Sequence, residues 1–319
     1  MTDNTKILVT GALGQIGSEL TIALREIYGN DNVIASDLRD EKDVDSQYLP
    51  YEKLDVLDRQ GVDAVIKKHD ITVIHHLAAI LSAAGEKNPQ LCYNVNMNGL
   101  YNILEAGREF NLDKIICPSS IAVFGPETPR DNTPQQTVLL PKTMYGVTKV
   151  SGELICDYYV QKYGMDVRGI RYPGLISYKS PPGGGTTDYA VDIFYEAIKN
   201  KKYNCFLKKD TMLPMMYMKD AIDGTIKLSQ ADFKDLKDHS NFNFAAISFT
   251  CEEIAAEIKK HIPEFEIEYN PDFRQAIADS WPRSIDDKEA RAQWGWQPSF
   301  DLAKMTTDMI KNLRIKLEG

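Results

Sequence analysis

Tyr145 and Lys149 stand four residues apart in the run Tyr145-Gly146-Val147-Thr148-Lys149. The surrounding pattern predicts a helix over 144–163, ended by Gly164, so the two side chains share one helix face. A phenol ionises at about pH 10 and is a poor base at neutral pH. An ammonium one helical turn away favours the phenolate, which makes the pair a proton acceptor for an alcohol. Ser120 precedes the tyrosine at the end of a predicted strand and offers a hydroxyl to orient that alcohol. Ser119 offers another. Successive strand residues face opposite sides, so the choice between them depends on where the strand ends. Asn96, a poor helix former inside a helix predicted over 88–110, is a further candidate.

Gly11-Ala12-Leu13-Gly14-Gln15-Ile16-Gly17 lies between a predicted strand, Lys6 to Thr10, and a predicted helix over 15–28. Glycine at 11 permits a tight turn, and at 14 it lets a pyrophosphate approach the backbone. At 17 it lets helix and strand pack closely. Gln15 and Ile16 open the helix, whose N-terminus faces the anion. Asp37, followed by Leu38, ends the next predicted strand twenty residues beyond Gly17. A carboxylate there accepts hydrogen bonds from both ribose hydroxyls and repels a 2′-phosphate, which favours NAD over NADP. Arg39 softens that preference. Loop and base together predict hydride transfer between a substrate carbon and NAD, with Tyr145 exchanging the hydroxyl proton.

The scaffold these residues need is legible in the alternation of patterns. Buried strands are predicted at Lys6–Thr10, Val33–Asp37, Glu52–Val56, Thr72–Leu77, Lys114–Ser119 and Asp166–Arg171. Helical periodicity separates them at 15–28, 58–69, 88–110 and 144–163. Strands that are apolar throughout, interleaved with helices, imply a parallel sheet covered on both faces. After Arg171 the rhythm breaks. Pro173, Gly174, Pro181, Pro182 and Gly183-Gly184-Gly185 mark a long loop, uncommon in a compact domain unless functional. Helices at 187–200 and 219–231 follow, with strands near 205 and 242 and at 265–269. The expected fold class is α/β, a Rossmann-type doubly wound parallel sheet with a smaller mixed α/β C-terminal lobe. The expected division is an NAD-binding domain at 1–175, joined by 219–245, and a substrate lobe at 176–218 and 246–319.

Composition narrows the partners. Among 319 residues, 37 basic against 46 acidic side chains leave a net charge of −9, which argues against nucleic acid or an anionic membrane. Five cysteines, none in CxxC spacing and several in apolar runs, read as buried reduced thiols of a cytoplasmic protein. The five histidines form no HxxxH or HExxH pair, so no metal site is expected. No apolar stretch approaches the roughly 20 residues that span a bilayer. The first strand pattern begins at Lys6, so no targeting segment is expected.

Taken together, the motifs resemble those of the extended short-chain dehydrogenase/reductase family, which includes sugar-nucleotide epimerases and dehydratases. Besides the GxxGxxG loop, Asp55-Val56 matches the pair that holds adenine. Leu77-Ala78-Ala79 matches the apolar turn beneath the cofactor, and Asn96-Met97-Asn98-Gly99 the NxxG of the long helix. Ser119-Ser120 with Val123-Phe124-Gly125 matches the serine strand, Tyr145 to Lys149 the YxxxK element, and Arg171-Tyr172-Pro173 the loop beside the nicotinamide. The resemblance implies that Lys149 also reaches the nicotinamide ribose and that Asn96 holds a water or backbone near the site. It further implies a homodimer through the helices near 88–110 and 144–163. The second of these is apolar on more than one side, with Leu154, Ile155 and Tyr158 on one and Cys156, Tyr159 and Tyr163 on another.

The stretch from Ser177 to Ala190, with Ile80-Leu81-Ser82-Ala83, Pro118 to Pro126 and Asp279-Ser280-Trp281-Pro282, resembles the short-chain type of L-threonine 3-dehydrogenases within that family. The resemblance implies oxidation of L-threonine at C3 to 2-amino-3-ketobutyrate. Ser82, Ser119, Thr186 and Thr187 offer short hydroxyls to a small zwitterion, and Trp281 could close the pocket. Thr186 or Thr187 is equally a candidate cap for the following helix. Family members acting on sugar nucleotides usually carry asparagine where Gly174 stands. An NAD-dependent sugar-nucleotide epimerase or dehydratase is the alternative, and a non-catalytic NAD-sensing protein a minor one.

Overall fold

The computed structural model describes residues 5–181, 183 and 185–318. Ile7–Thr10 is buried at every position and forms β1. It leads through the glycine turn into α1 (Gln15–Tyr28), whose buried residues include Gly17, Leu20 and Leu24. Next come β2 (Val33–Asp37), β3 (Tyr51–Lys53), α2 (Arg59–His69) and β4 (Val73–His76). The short α3 (Ser82–Lys87) follows, then α4 (Pro89–Tyr93) and α5 (Leu100–Phe110), joined by a π-helical turn, Asn94–Gly99. After β5 (Lys114–Ile116) and β6 (Ser119–Ser120), the chain crosses α6 (Met144–Tyr163) to reach β7 (Val167–Arg168). Among the described residues the main sheet has six strands in the order β3-β2-β1-β4-β5-β7, all pairs parallel. Apolar strands inside a two-sided sheet explain the continuous hydrophobic runs. This is the doubly wound Rossmann-like architecture.

Two strands end sooner than their patterns suggest. The run Lys114–Ser119 stops pairing in the main sheet at Ile116, ahead of Pro118, which has no N–H to give a ladder. Asp166–Arg171 splits at Gly169, whose N–H bonds to His239 O. The chain then changes partners: β8 (Ile170–Tyr172) pairs with β6, aligning Ser119 with Arg171 and Ser120 with Tyr172.

The rest of the chain builds against this edge. β9 (Gly174–Ile176), α7 (Tyr189–Lys199), β10 (Lys202–Cys205), β11 (Met212–Tyr217) and α8 (Met218–Gln230) follow in order. Then come β12 (Phe242–Asn243), β13 (Ile247–Thr250), α9 (Cys251–Lys259), β14 (Glu266–Tyr269), α10 (Arg274–Asp279), α11 (Lys288–Trp294) and α12 (Leu302–Glu318). β11 pairs with β9 in parallel and with β13 antiparallel, while β12 joins β8. The sequence pattern predicts none of β9, β11 and β13. β11 carries three methionines and Pro214, and neither type favours a strand interior. One core beneath the main sheet joins Ile7, Val9 and Leu20 to Met218, Ile222, Phe244 and Trp296. A larger core holds Val123, Phe124, Tyr145, Tyr189, Phe194, Phe249 and Trp281. No helix among the described residues is long and apolar enough to cross a membrane.

Candidate active site

Thr143 caps α6, its hydroxyl accepting from Gly146 N at 3.1 Å. A Cβ at Gly146 would lie 2.3 Å from Ala122 O, so glycine lets the first turn of α6 press against the turn that follows Ser120. That approach brings Tyr145 to the serine strand. One turn on, Lys149 Nζ lies 5.6 Å from the centre of the Tyr145 ring and donates to Pro118 O at 2.7 Å. Ser120 is half-buried, and its Oγ accepts from Ala122 N at 3.2 Å. Ser119 is buried, and its hydroxyl donates to Glu153 Oε1 at 2.5 Å instead. The alternation of the strand thus separates the two hydroxyls.

Asn96 sits in the π-helical turn, a distortion that helices often carry at functional positions. Its Oδ1 accepts from Ile80 N at 2.8 Å, and its Nδ2 donates to Ile80 O at 3.0 Å and to Thr148 Oγ1 at 3.1 Å. It holds backbone, the segment leading to half-buried Ser82 at the start of α3, and so acts by position. His76 ends β4 with Nδ1 2.9 Å from Thr10 Oγ1. Burial, with the charge of Lys149 second, pushes its pKa down to about 3, so this imidazole is neutral. A cavity of about 30 Å³, lined among others by His76, Asn96, Thr148 and Lys149, lies behind the lysine. Thr10, His76, Thr148 and the Pro118 carbonyl carry no sequence signal of their own, because their roles come from neighbours in space.

At the same C-terminal edge of the sheet, directly after β1, Gly11 adopts φ +67°. A Cβ there would lie 2.8 Å from Ala78 N, so the turn presses directly on the Leu77-Ala78-Ala79 segment. Leu77 N in turn donates to Thr10 O at 3.0 Å. Gly17 has no more room, a Cβ lying 2.2 Å from Gly11 O. α1 begins at Gln15 and Ile16 with no side-chain cap and no acidic residue in its first turn. Its orphan N–H groups and positive dipole end are therefore not neutralised by a side chain of the helix's own first turn. Asp37 Oδ2 accepts from Leu13 N at 3.2 Å and Oδ1 from Leu38 N at 2.8 Å, and each oxygen keeps a lone pair for another donor. Leu38 beside it is 63% exposed. Asp55 accepts from Leu57 N at 2.9 Å, and buried Val56 gives its carbonyl to Asn102 Nδ2, also at 2.9 Å.

The substrate candidates come from segments far apart in the chain. Thr186 is buried in a 3-10 turn, Thr186–Asp188, that packs on β9 and α10. Neither threonine caps α7; the Asp188 carboxylate accepts from Gly185 N at 2.7 Å instead. Trp281, Tyr145 and Tyr189 share one apolar core, with Ile80 packed against it. Pro182 and Gly184 of the loop lie outside the described residues. Pro173 is buried. Tyr172 is buried too, its phenol bonded to Thr225 Oγ1, and burial raises its pKa above the ordinary range. Its side chain serves the core, leaving only its backbone near the loop.

The model of the NAD dependent epimerase/dehydratase family matches residues 7–243. The chain belongs to that family. It is accordingly an NAD-dependent oxidoreductase of extended short-chain type, and the uncapped helix end, glycine turn and Asp37 form a cradle that fits its dinucleotide. An uncharacterized epimerase/dehydratase of Staphylococcus haemolyticus is 50% identical, covering 98% of both chains. The L-threonine dehydrogenase of Clostridium difficile superposes with a TM-score of 0.96 at 53% identity, over 99% of each chain. A monomeric L-threonine 3-dehydrogenase from a metagenome reaches 0.94 at 53% identity, over 98% of this chain and 100% of its own.

Proposed function

We propose that this protein oxidises L-threonine at C3 to 2-amino-3-ketobutyrate. The reading is carried by the likeness to L-threonine dehydrogenases along nearly the whole chain. Crowding at Gly174 supports it, since a Cβ there would lie 2.4 Å from Met215 Sδ and 2.7 Å from Thr187 Cγ2. The asparagine expected of sugar-nucleotide enzymes would fit there only if the Met215 and Thr187 side chains moved.

In this reading the backbone N–H groups of Gly14 to Gly17 hold the pyrophosphate of NAD, and Asp37 holds the adenosine ribose. Leu38, Asp55, Val56 and the 77–79 turn enclose the adenine side, and Tyr172 and Pro173 border the nicotinamide through the chain's backbone. NAD, when bound, accepts the hydride from C3. Ser120 Oγ orients the 3-hydroxyl, and Tyr145 Oη takes its proton. The Lys149 ammonium lowers the cost of negative charge on that oxygen and reaches the ribose. Ser82, Thr186 and Thr187 receive the amino-acid head, and Trp281 excludes water. In this reading 1–175 with 219–245 binds NAD and carries Ser82, Ser120 and Tyr145, and 176–218 with 246–319 completes the threonine site.

The test follows NADH formation from NAD with L-threonine, L-serine, 3-hydroxybutyrate and UDP-glucose. Threonine should give by far the largest signal. Silence with threonine and turnover of the sugar nucleotide would replace this reading with the epimerase one.

We also propose a homodimer through α4, α5 and α6. Val147, Leu154, Tyr158 and Tyr163 on α6 are exposed, as are Leu91, Tyr93 and Tyr101 on the neighbouring rod, and Leu154 is 65% exposed. Exposed apolar side chains on neighbouring helices support an interaction site there. Light scattering should give twice the chain mass, falling to one chain mass in Leu154→Glu; one chain mass in the unmodified protein would reject the dimer.

A further inference from the structure

Glu153 follows Lys149 by four residues and Tyr145 by eight, so all three lie along one face of α6. Its carboxylate is buried and accepts three hydrogen bonds. Arg171 Nε donates to Oε1 and Arg171 Nη2 to Oε2, both at 2.8 Å, and Ser119 Oγ donates to Oε1 at 2.5 Å. The remaining reach of the guanidinium is satisfied as well, Nη1 donating to Gln135 O at 2.9 Å and to Asn243 Oδ1 at 3.2 Å. A buried ion pair is tolerated when every partner is met in this way. The arrangement joins three elements at one point: α6 through Glu153, β6 through Ser119, and β8 through Arg171.

What makes the point functional is the pair of residues flanking Ser119. On one side, the Pro118 carbonyl receives Lys149 Nζ at 2.7 Å. On the other stands Ser120, with its half-buried hydroxyl on the opposite face of the strand. Ser119 is aligned with Arg171 across the β6–β8 pair, so the same ion pair is gripped by side chain and backbone register together. We infer that Ser119, Glu153 and Arg171 are positioning residues for the reaction: Ser119 anchors its strand to α6 and thereby sets the Pro118 carbonyl against Lys149 and Ser120 against Tyr145. This rests on the dehydrogenase reading above, and assigns Ser119 a place behind the site rather than against the substrate. A reacting group displaced by about 1 Å can lose on the order of 100-fold in rate.

Ser119→Ala is the mild variant, because it leaves the Glu153–Arg171 pair intact. Steady-state kinetics should show kcat for L-threonine reduced by about 10- to 100-fold, with KM within about 2-fold of the unmodified enzyme. Ser119→Thr keeps the hydroxyl and should restore kcat to within about 3-fold. A crystal structure of Ser119→Ala should show the Pro118 carbonyl displaced from Lys149 Nζ. If Ser119→Ala does not fold, the near-isosteric Ser119→Cys takes its place in each measurement. A raised KM at unchanged kcat would mean direct substrate contact and overturn the inference, as would a lowered melting temperature with kcat unchanged or a failed rescue by threonine. An unmodified chain inert toward L-threonine refutes the functional reading alone, and the Pro118–Lys149 distance in the variant then decides this one.

Discussion

Gly11 to Gly17 and Asp37 belong to one strand–helix–strand unit, whereas Ser82, Ser120, Tyr145, Thr186 and Trp281 come from five separate segments in both lobes. The dinucleotide cradle is made of glycines, backbone N–H groups and a helix end, all set by short-range geometry. The proposed substrate side is made of side chains far apart in the chain, of which Tyr145 and Trp281 share one apolar core. The difference teaches where specificity can reside. A backbone cradle recognises a phosphate whatever the rest of the chain does, so it suits a cofactor shared across a family. A wall of converging side chains can change its substrate by one substitution, and needs the whole fold to hold it.

The comparison can be broken at its joint. Tyr145→Phe should lower turnover by about 100- to 10,000-fold while NAD affinity by calorimetry changes little. Retained activity would remove Tyr145 as the base and leave the two halves without a common chemical step. Asp37→Ser should weaken NAD by about 10- to 100-fold and NADP far less, since a charged acceptor for two hydroxyls is lost along with a repulsive charge. An unchanged NAD-to-NADP ratio rejects its ribose role. Thr186→Val, close in shape, should raise KM for threonine about 10-fold and leave NAD affinity untouched; a change in NAD affinity would erase the separation between halves.

A smaller effect concerns stability. His75 and His76 at the end of β4 are both buried, and burial pushes each pKa down to about 3. The unfolded chain takes up their protons below about pH 6.5, and the folded chain does not until about pH 3. Their contribution is therefore complete above about pH 6.5 and lost as pH falls through that window. In His75→Leu the decline should flatten by about 1.4 kcal/mol per pH unit, read from denaturation midpoints between pH 6 and 4. An unaltered slope would show that the acid sensitivity of the cofactor half lies elsewhere.

Particular residues show how far the sequence could be read. The Tyr145–Lys149 face, the glycine turn and Asp37 follow from fixed spacings, because helix and strand periods and the positive φ of a tight turn are local properties. The parallel sheet follows from apolar runs alternating with helical ones. Tyr172 was legible as a member of a loop motif, but its phenol turns into the core against Thr225. β11 was illegible, since in Met212–Tyr217 only Tyr217 favours a strand and Pro214 opposes one until β9 and β13 supply its ladders. The 186–187 pair was readable as either cap or contact, and Asp188 removes the first option by capping the turn itself.

By itself the sequence determined the sheet, the cradle for the dinucleotide and the helix that bears the base, each written in residues close along the chain. Only the tertiary structure gave Ser119 and Ser120 different partners, since that required Glu153 from one helix and Arg171 from another strand to meet at a single buried point. Such a meeting depends on packing between segments far apart in the chain, and no local spacing encodes it.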